Sequence, residues 1–325
     1  MGMTGALTIV MYHYVRDMAA TPYPQLKALD TQQFEAQLDA LTSSHTFCTI
    51  AEVIAASRGE KRLPADACLL TFDDGFIDHY QTVFPRLEER GIEGSFFPIV
   101  EATEQHRVPD VHKIHFVLAS VGDVKELVRE IVMLLKPFRK NGEIPNDQTL
   151  YKQYAKPGRL DPPEVMFVKR ALQSGLPEKI RSAILDELFH RHVTPDEVGF
   201  AKGLYMDMPQ LRCMARHGMV IGGHGKSHQP LSELSSTNQQ KEINETVAFL
   251  ARIYGSPPRD WVMCYPWGVH NATTVSLAAK ADCALGFGYG GGIVKDLARP
   301  LVLTRVDTVN LHSLADSLPG DRERQ

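Results

Sequence analysis

The chain has 325 residues, 43% hydrophobic and 23% charged, with 35 Lys and Arg against 39 Asp and Glu for a formal net charge of −4. That length allows one large domain or two ordinary ones, and it buries a core without disulfides or a structural metal. The mild negative balance and the lack of a basic stripe argue against a nucleic-acid partner, and no apolar run approaches the ~18 residues that cross a bilayer. Residues 1–10 have no basic start, and no small-residue cleavage site precedes Tyr12-His13-Tyr14, so they read as a first strand and not as a signal peptide. Cys48, Cys68, Cys213, Cys264 and Cys283 are scattered and form no Cys-x-x-Cys pair, which suits reduced thiols and a cytoplasmic location.

Seven apolar runs of strand length follow one another at 7–14, 67–74, 94–100, 219–224, 261–267, 283–289 and 301–307. Most are continuous rather than alternating, as in strands covered on both faces of a parallel sheet. Helical spacing fills the gaps between them. It predicts helices over 34–42, over 80–90 with Gly91 as a stop, over 209–217 and over 272–281. The strongest lies over 239–254, with Ile243, Val247, Leu250 and Ile253 on one face and Gly255 ending it. The alternation argues for a parallel α/β fold, and seven units suit a barrel-like closure better than a small open sheet.

The alternation fails between about 101 and 202. An amphipathic stretch over 124–138 (Val124, Leu127, Val128, Ile131, Leu134, Leu135), loops punctuated by Pro145, Pro157, Pro162 and Pro163, and helical pieces over 164–172 and 177–190 predict an inserted helical subdomain. The expected organisation is a barrel from residues 1–100 and 203–325 with the 101–202 insert after the third strand. That insert leaves from the end of the strand where a parallel barrel carries its catalytic residues, so it should overhang that face.

Polar residues gather at the ends of the runs: His13 at the first, Asp73 and Asp74 at the second, His224 and then His228 at the fourth, Tyr265, Pro266 and Trp267 at the fifth, Asp307 at the seventh. In a closed parallel sheet all of these face one mouth. Adjacent carboxylates at a strand end point in different directions, so one can ligate a metal while the other faces a water; Asp73-Asp74-Gly75 also fits a plain turn or a helix cap. His224 and His228, at i and i+4, fit one face of a helical turn and one ion; two surface histidines beside a glycine turn are the bland alternative. One Asp with two His and an open position is the catalytic arrangement of zinc, but also that of non-haem iron oxygenases.

In combination and order, Met11-Tyr12-His13-Tyr14-Val15, Thr71-Phe72-Asp73-Asp74-Gly75, His224-x-x-x-His228 and Cys264-Tyr265-Pro266-Trp267-Gly268 resemble the polysaccharide deacetylase family, carbohydrate esterase family 4 or NodB-homology family. The resemblance covers about 5–100 and 203–307. It implies an α/β fold of the distorted (β/α)7-barrel type, a divalent metal, usually Zn2+, and hydrolysis of an N-acyl group, typically acetyl, from an amino sugar. It implies Asp74, His224 and His228 as metal ligands, Asp73 as general base and the Tyr265 backbone N–H as an oxyanion donor. Trp267 is a candidate for stacking on a sugar ring, with a place in the core as the alternative. The general acid falls to His13 or to His312 in Asn310-Leu311-His312. For the usual arginine of the Tyr-Pro motif Arg259 is near but loosely spaced, and Arg305 next to Asp307 on the last strand could orient Asp73 instead.

The expected substrate is therefore a small or lipid-linked amino sugar, such as a cytosolic precursor of a surface polysaccharide, and a homo-oligomer is compatible with the sequence. A cyclic amide hydrolase of the allantoinase type is the enzymatic alternative. A catalytically silent carbohydrate-binding module is a second alternative, against which the intact Asp73, Asp74, His224 and His228 argue.

Overall fold

The computed structural model describes residues 5–141, 144–158 and 161–311; His312 lies outside them. Seven strands stand where the apolar runs are: β1 (Ala6–Tyr12), β2 (Asp66–Asp74), β3 (Gly94–Pro98), β4 (Val220–Ile221), β5 (Trp261–Cys264), β6 (Cys283–Phe287) and β7 (Val306–Asp307). Every pairing among them is parallel. β1 lies between β7 and β2, β2 pairs β3, and β3 pairs β4. β5 pairs β6. Single parallel bridges, Gly223 to Met263 and Phe287 to Leu303, join the two sheets, so the strands follow one another around a ring in sequence order. This is an α/β fold of the distorted (β/α)7-barrel type.

Alternation along the strands sorts side chains to two sides, as a period of two requires. Ile9, Ala67, Leu69, Phe97, Val262, Cys264, Leu285, Phe287 and Leu303 cluster together inside the ring. Val10, Tyr12, Leu70, Phe72, Phe96 and Met263 face outward into a second cluster with helix residues such as Phe34, Leu38, Phe249 and Leu250. Both sides of each strand are thus apolar, which is why the runs read as continuous.

β4 and β7 are shorter than the apolar runs that announced them. At Gly222 and Gly223 the backbone leaves β3 and passes so close to its neighbours that an added Cβ would sit 2.5 Å from the Phe97 ring and 2.3 Å from the Thr246 side chain. There the chain exchanges one strand partner for another, and a regular ladder cannot continue.

Five helices follow the predicted positions, α1 (Thr31–Ser44), α3 (Phe84–Arg90), α4 (Met208–Arg216), α5 (Ser236–Tyr254) and α6 (Ala272–Lys280), and α2 (Ile50–Ser57) was not anticipated. Their starts are fixed by side-chain caps from Asp30, Thr49, Asp207, Ser235 and Asn271, except at α3. The stretch before α3 is a π-turn, His79–Val83, in place of a continuous α-helix from Tyr80. Such bulges are common near functional sites, and this one carries the fully buried His79.

The chain divides into two compact units. One comprises the described residues up to Asp17, Ala28–Gln105 and those from Lys202 onward, and holds the ring. The other joins Met18–Lys27 to His106–Ala201, so residues 18–27 group with the helical insert although the sequence reading kept them with the barrel. In this second unit the helix Asp110–Ser120, which no sequence signal announced, buries Lys113 on Asp186 (2.7 Å) and Glu197 (2.8 Å). Tyr23 meets Phe116 edge-on, and Phe116 meets Phe200.

Among the described residues no helix is long and apolar enough to cross a membrane. The five cysteines are unpaired thiols, four of them buried.

Phe72 stacks between Tyr12 (5.0 Å) and Phe96 (4.8 Å) under α1. Phe72→Ala should cost about 3–5 kcal/mol, as aromatic deletions in close-packed cores do, read as a lower midpoint in urea at unchanged slope.

Candidate active site and metal centre

Thr71 and Asp73 continue the inward-facing series of β2. Arg305, just before β7, meets them inside the ring. Its guanidinium donates from Nη1 to Asp73 Oδ1 (2.8 Å) and from Nη2 to Asp73 Oδ2 (2.7 Å), and Nη1 also reaches Thr71 Oγ1 (3.1 Å). Both partners are almost wholly buried, at 1% and 2% exposure. The Cys264 thiol donates to Asp73 Oδ2 at 3.2 Å. Burial by itself would raise the Asp73 pKa, but the Arg305 charge and its paired hydrogen bonds, with His224 and His13 nearby, hold the carboxyl well below the usual carboxylate range.

Asp74 turns the other way because its backbone is left-handed, with φ +73°. Gly75 follows at φ +70°, and a Cβ on it would lie 2.7 Å from the Pro98 backbone. The turn brings Asp74 Oδ1 to 3.4 Å from His224 Nε2 and 3.2 Å from His228 Nε2. The two histidines are not on a helical turn: residues 224–228 form an irregular loop, with Gly225 at φ +74° and His228 at φ +61°.

The donor atoms of Asp74, His224 and His228 all lie within 4.8 Å of one another. His224 Nδ1 is 2.9 Å from the Cys264 carbonyl oxygen. A carbonyl only accepts, so Nδ1 carries the proton and Nε2 is aimed at Asp74 as a ligand nitrogen, the orientation that metal sites impose through such carbonyls. One carboxylate with two imidazoles fits a divalent cation with positions left open. Asp73, His224 and Cys264 are also mutually close, but they fit a cation poorly. Burial pushes the Cys264 thiol up, away from the thiolate a metal needs, and the Asp73 charge is already matched by the Arg305 guanidinium.

His13 is partly exposed at the mouth, its Nε2 3.9 Å from Asp73 Oδ2. The buried His79 donates from Nε2 to the His13 carbonyl (2.8 Å) and so fixes that strand end. Burial pushes the His79 pKa down to about 4, which keeps the ring neutral. Trp267 is 42% exposed, at φ +62°, with its indole Nε1–H donated to the His228 carbonyl at 3.1 Å.

Tyr265 does not offer the donor that the resemblance implied, whereas Asp307 ends β7 as read. The Tyr265 N–H is spent on the Phe287 carbonyl (2.9 Å), its ring is fully buried and its hydroxyl donates to the Leu301 carbonyl, so Tyr265 offers nothing to an oxyanion or a substrate. Asp307 caps the following turn by accepting from the Val309 N–H.

Sequence reasoning missed His79 and Glu242. His79 was hidden in an apparently ordinary helix. Glu242 is a helix-face acid whose only signal was burial.

Residues 190–286 match the family model described as polysaccharide deacetylase. That span includes His224, His228 and Tyr265-Pro266-Trp267 and stops short of Asp73 and Asp74. No curated protein matches in sequence. Among solved structures the chain is similar to IcaB from Ammonifex degensii, at TM-score 0.59 and 18% identity over 97% of both chains. It is similar to the Streptococcus pyogenes deacetylase PplD in complex with acetate, at 0.57 and 17% over 93% of this chain and 92% of that one. It is also similar to a de-N-acetylase from Aggregatibacter actinomycetemcomitans, at 0.54 and 15% over 93% and 94%. These likenesses show the fold, and with the family match they bear out the resemblance drawn from the motifs.

Two outcomes follow from the geometry. Arg305→Ala leaves a buried carboxylate unpaired and should cost about 3–5 kcal/mol, most of it recovered in Arg305→Ala/Asp73→Asn when unfolding is followed in denaturant. Because the Asp73 pKa is depressed on folding, its contribution is complete above the unfolded value near pH ~4 and is lost as the pH falls below it. Second, although burial favours the neutral ring, the acidic groups around His224 (Cys264, Asp74, Asp73) raise its pKa well above 6.5. A divalent cation bound at pH 7 should therefore release about one proton. Calorimetry in buffers of different ionisation enthalpy reads that number, and its absence would show that His224 is already neutral before the cation binds.

Proposed function

We propose that the chain is a metal-dependent hydrolase that removes an N-acyl group, acetyl in the first instance, from an amino sugar of a polysaccharide or its precursor. The observation that carries this reading is the pair of adjacent carboxylates at the end of β2. Asp74 faces two imidazoles and Asp73 faces Arg305, so ligand and base are separated within one dipeptide. The family match supports a deacetylase.

Asp74, His224 and His228 would hold the cation, with Zn2+ the best fit to a carboxylate and two imidazoles. Bound there, it would supply Lewis acidity to the acyl carbonyl and to the attacking water. Asp73 accepts the proton of that water. Arg305 keeps Asp73 ionised and fixes both oxygens, so the base is oriented before substrate arrives. His13, beside Asp73 and open to the mouth, donates a proton to the leaving amine, which is a poor leaving group without one.

The oxyanion donor assigned to Tyr265 passes to Trp267. Trp267 lies in the tight turn Pro266–Gly268, where the Gly268 and Val269 N–H groups bond back to Tyr265 and Pro266, and its N–H is the next amide along the chain from Tyr265 that could meet an oxyanion. Its exposed ring offers a face for a sugar. A cytoplasmic precursor remains our reading of the substrate's location.

Asp73→Asn should abolish turnover while the protein still takes up one divalent ion. Retained turnover would refute the base assignment. His13→Gln should lower kcat about 10²–10⁴-fold with KM little changed, as for the loss of a general acid. A panel of N-acetylhexosamine oligomers, acetylated nucleotide sugars and cyclic ureides, followed by mass spectrometry, tests the substrate class. Acetate release from the sugars is expected, and turnover of the ureides alone would overturn the proposal.

A further inference from the structure

We infer that Glu242, on α5, is the positioning residue that brings His228 to Asp74; the inference rests on the reading of Asp74, His224 and His228 as ligands of one cation. Glu242 is buried at 8% exposure although it lies on an otherwise amphipathic helix. Its Oε2 accepts the backbone N–H of Lys226 (2.7 Å) and of Ser227 (3.0 Å), and its Oε1 accepts the Ser227 hydroxyl (2.7 Å). Two successive N–H groups converging on one anion form the same concavity that proteins use to hold bound anions. Here the anion belongs to the protein and the N–H groups belong to the loop.

The loop needs such a hold. Residues 225–228 have no ladder or helix to take up their amides, and His228 sits at φ +61°, a conformation that persists only where surroundings dictate it. The carbonyl side of the loop is fixed separately. The Val100 N–H reaches the Gly225 carbonyl (3.4 Å), the Glu101 N–H reaches the Lys226 carbonyl (2.9 Å), and the Trp267 indole reaches the His228 carbonyl. Glu242 takes the Lys226 and Ser227 amides. Gly225 fits this arrangement, because a Cβ there would lie 3.3 Å from Glu242 Oε2 and 3.2 Å from Pro266, at a positive φ. A charged acceptor holds such donors about twice as strongly as a neutral one. Without it the Lys226 and Ser227 amides lose their partner, and the loop relaxes with its histidine displaced from Asp74. Groups that orient a metal ligand in this way typically account for 10–100-fold in metal affinity.

The test uses Glu242→Ala and the near-isosteric Glu242→Gln in the full chain, with Gln240→Ala, half-buried on the other side of the same helix, as control. Hydrogen exchange of the metal-free proteins reads the loop, and competition for Zn2+ against a chromogenic chelator reads the site. We expect Glu242→Ala to unfold cooperatively, to exchange faster at residues 226–228 and to bind Zn2+ about 10–100-fold more weakly. Glu242→Gln, which keeps one acceptor oxygen in place, should fall between it and wild type, and Gln240→Ala should match wild type. Unchanged exchange at 226–228 in Glu242→Ala overturns the inference. So does wild-type Zn2+ affinity in that variant. Should Glu242→Ala fail to fold, the same two readings on Glu242→Gln decide. If wild type takes up no divalent ion yet its loop loosens in Glu242→Ala, the cation reading fails while the hold of Glu242 on the loop stands.

Discussion

The buried pair of Asp73 and Arg305 is the interaction on which the site depends. A carboxylate taken out of water inside a barrel must be neutralised or matched by a cation, and Arg305 matches it with a two-pronged hydrogen bond from the far side of β1. The pair also ties β2 to the start of β7, a region where β7 offers only two residues to the ladder. Structure and chemistry therefore draw on the same contact. It closes a weakly paired part of the ring, and it leaves an ionised, fixed carboxylate facing the mouth.

Three residues with side chains carry left-handed backbone at this mouth: Asp74, His228 and Trp267. Each departs from regular structure at the point where its side chain or amide would otherwise be committed to a ladder or a core. Asp74 turns away from Asp73, His228 turns toward Asp74, and Trp267 exposes its ring. Strain of this kind costs on the order of 1–3 kcal/mol per residue and lasts only where the surroundings over-determine it. The surroundings are visible in each case: Gly75 packed against Pro98, Glu242 beneath the loop, and the indole hydrogen bond to the His228 carbonyl.

Arg305 reaches Asp73 from beside the last strand and not from the Tyr-Pro stretch, and the packing around Cys264 makes room for it. Cys264 faces inward beside Asp73, and its small thiol leaves the room that the Arg305 side chain fills from another strand. A guanidinium can reach a fixed carboxylate from either side, provided that its approach is planar and two-pronged. Spacing within one motif does not restrict where that arginine comes from.

Much of this was open to reading in the chain itself. Continuous apolar runs gave the parallel strands because both faces of each strand are covered. Gly91 and Gly255 marked helix ends because left-handed backbone favours glycine. Asp73, Asp74, His224 and His228 stood out because strand ends in a parallel ring share one mouth. What the sequence could not settle is everything that depends on partners distant along the chain. The family resemblance implied the Tyr265 N–H as a donor; only the β5–β6 pairing shows that Phe287 takes it. His224 and His228 suggested a helical turn by spacing alone, whereas their loop is shaped by Glu242 on another element. Local pattern encodes the element and the side of it that is buried, because both follow from neighbouring residues. Which hydrogen bonds remain to be made, and so which groups are left for chemistry, is decided only when distant strands and helices come together.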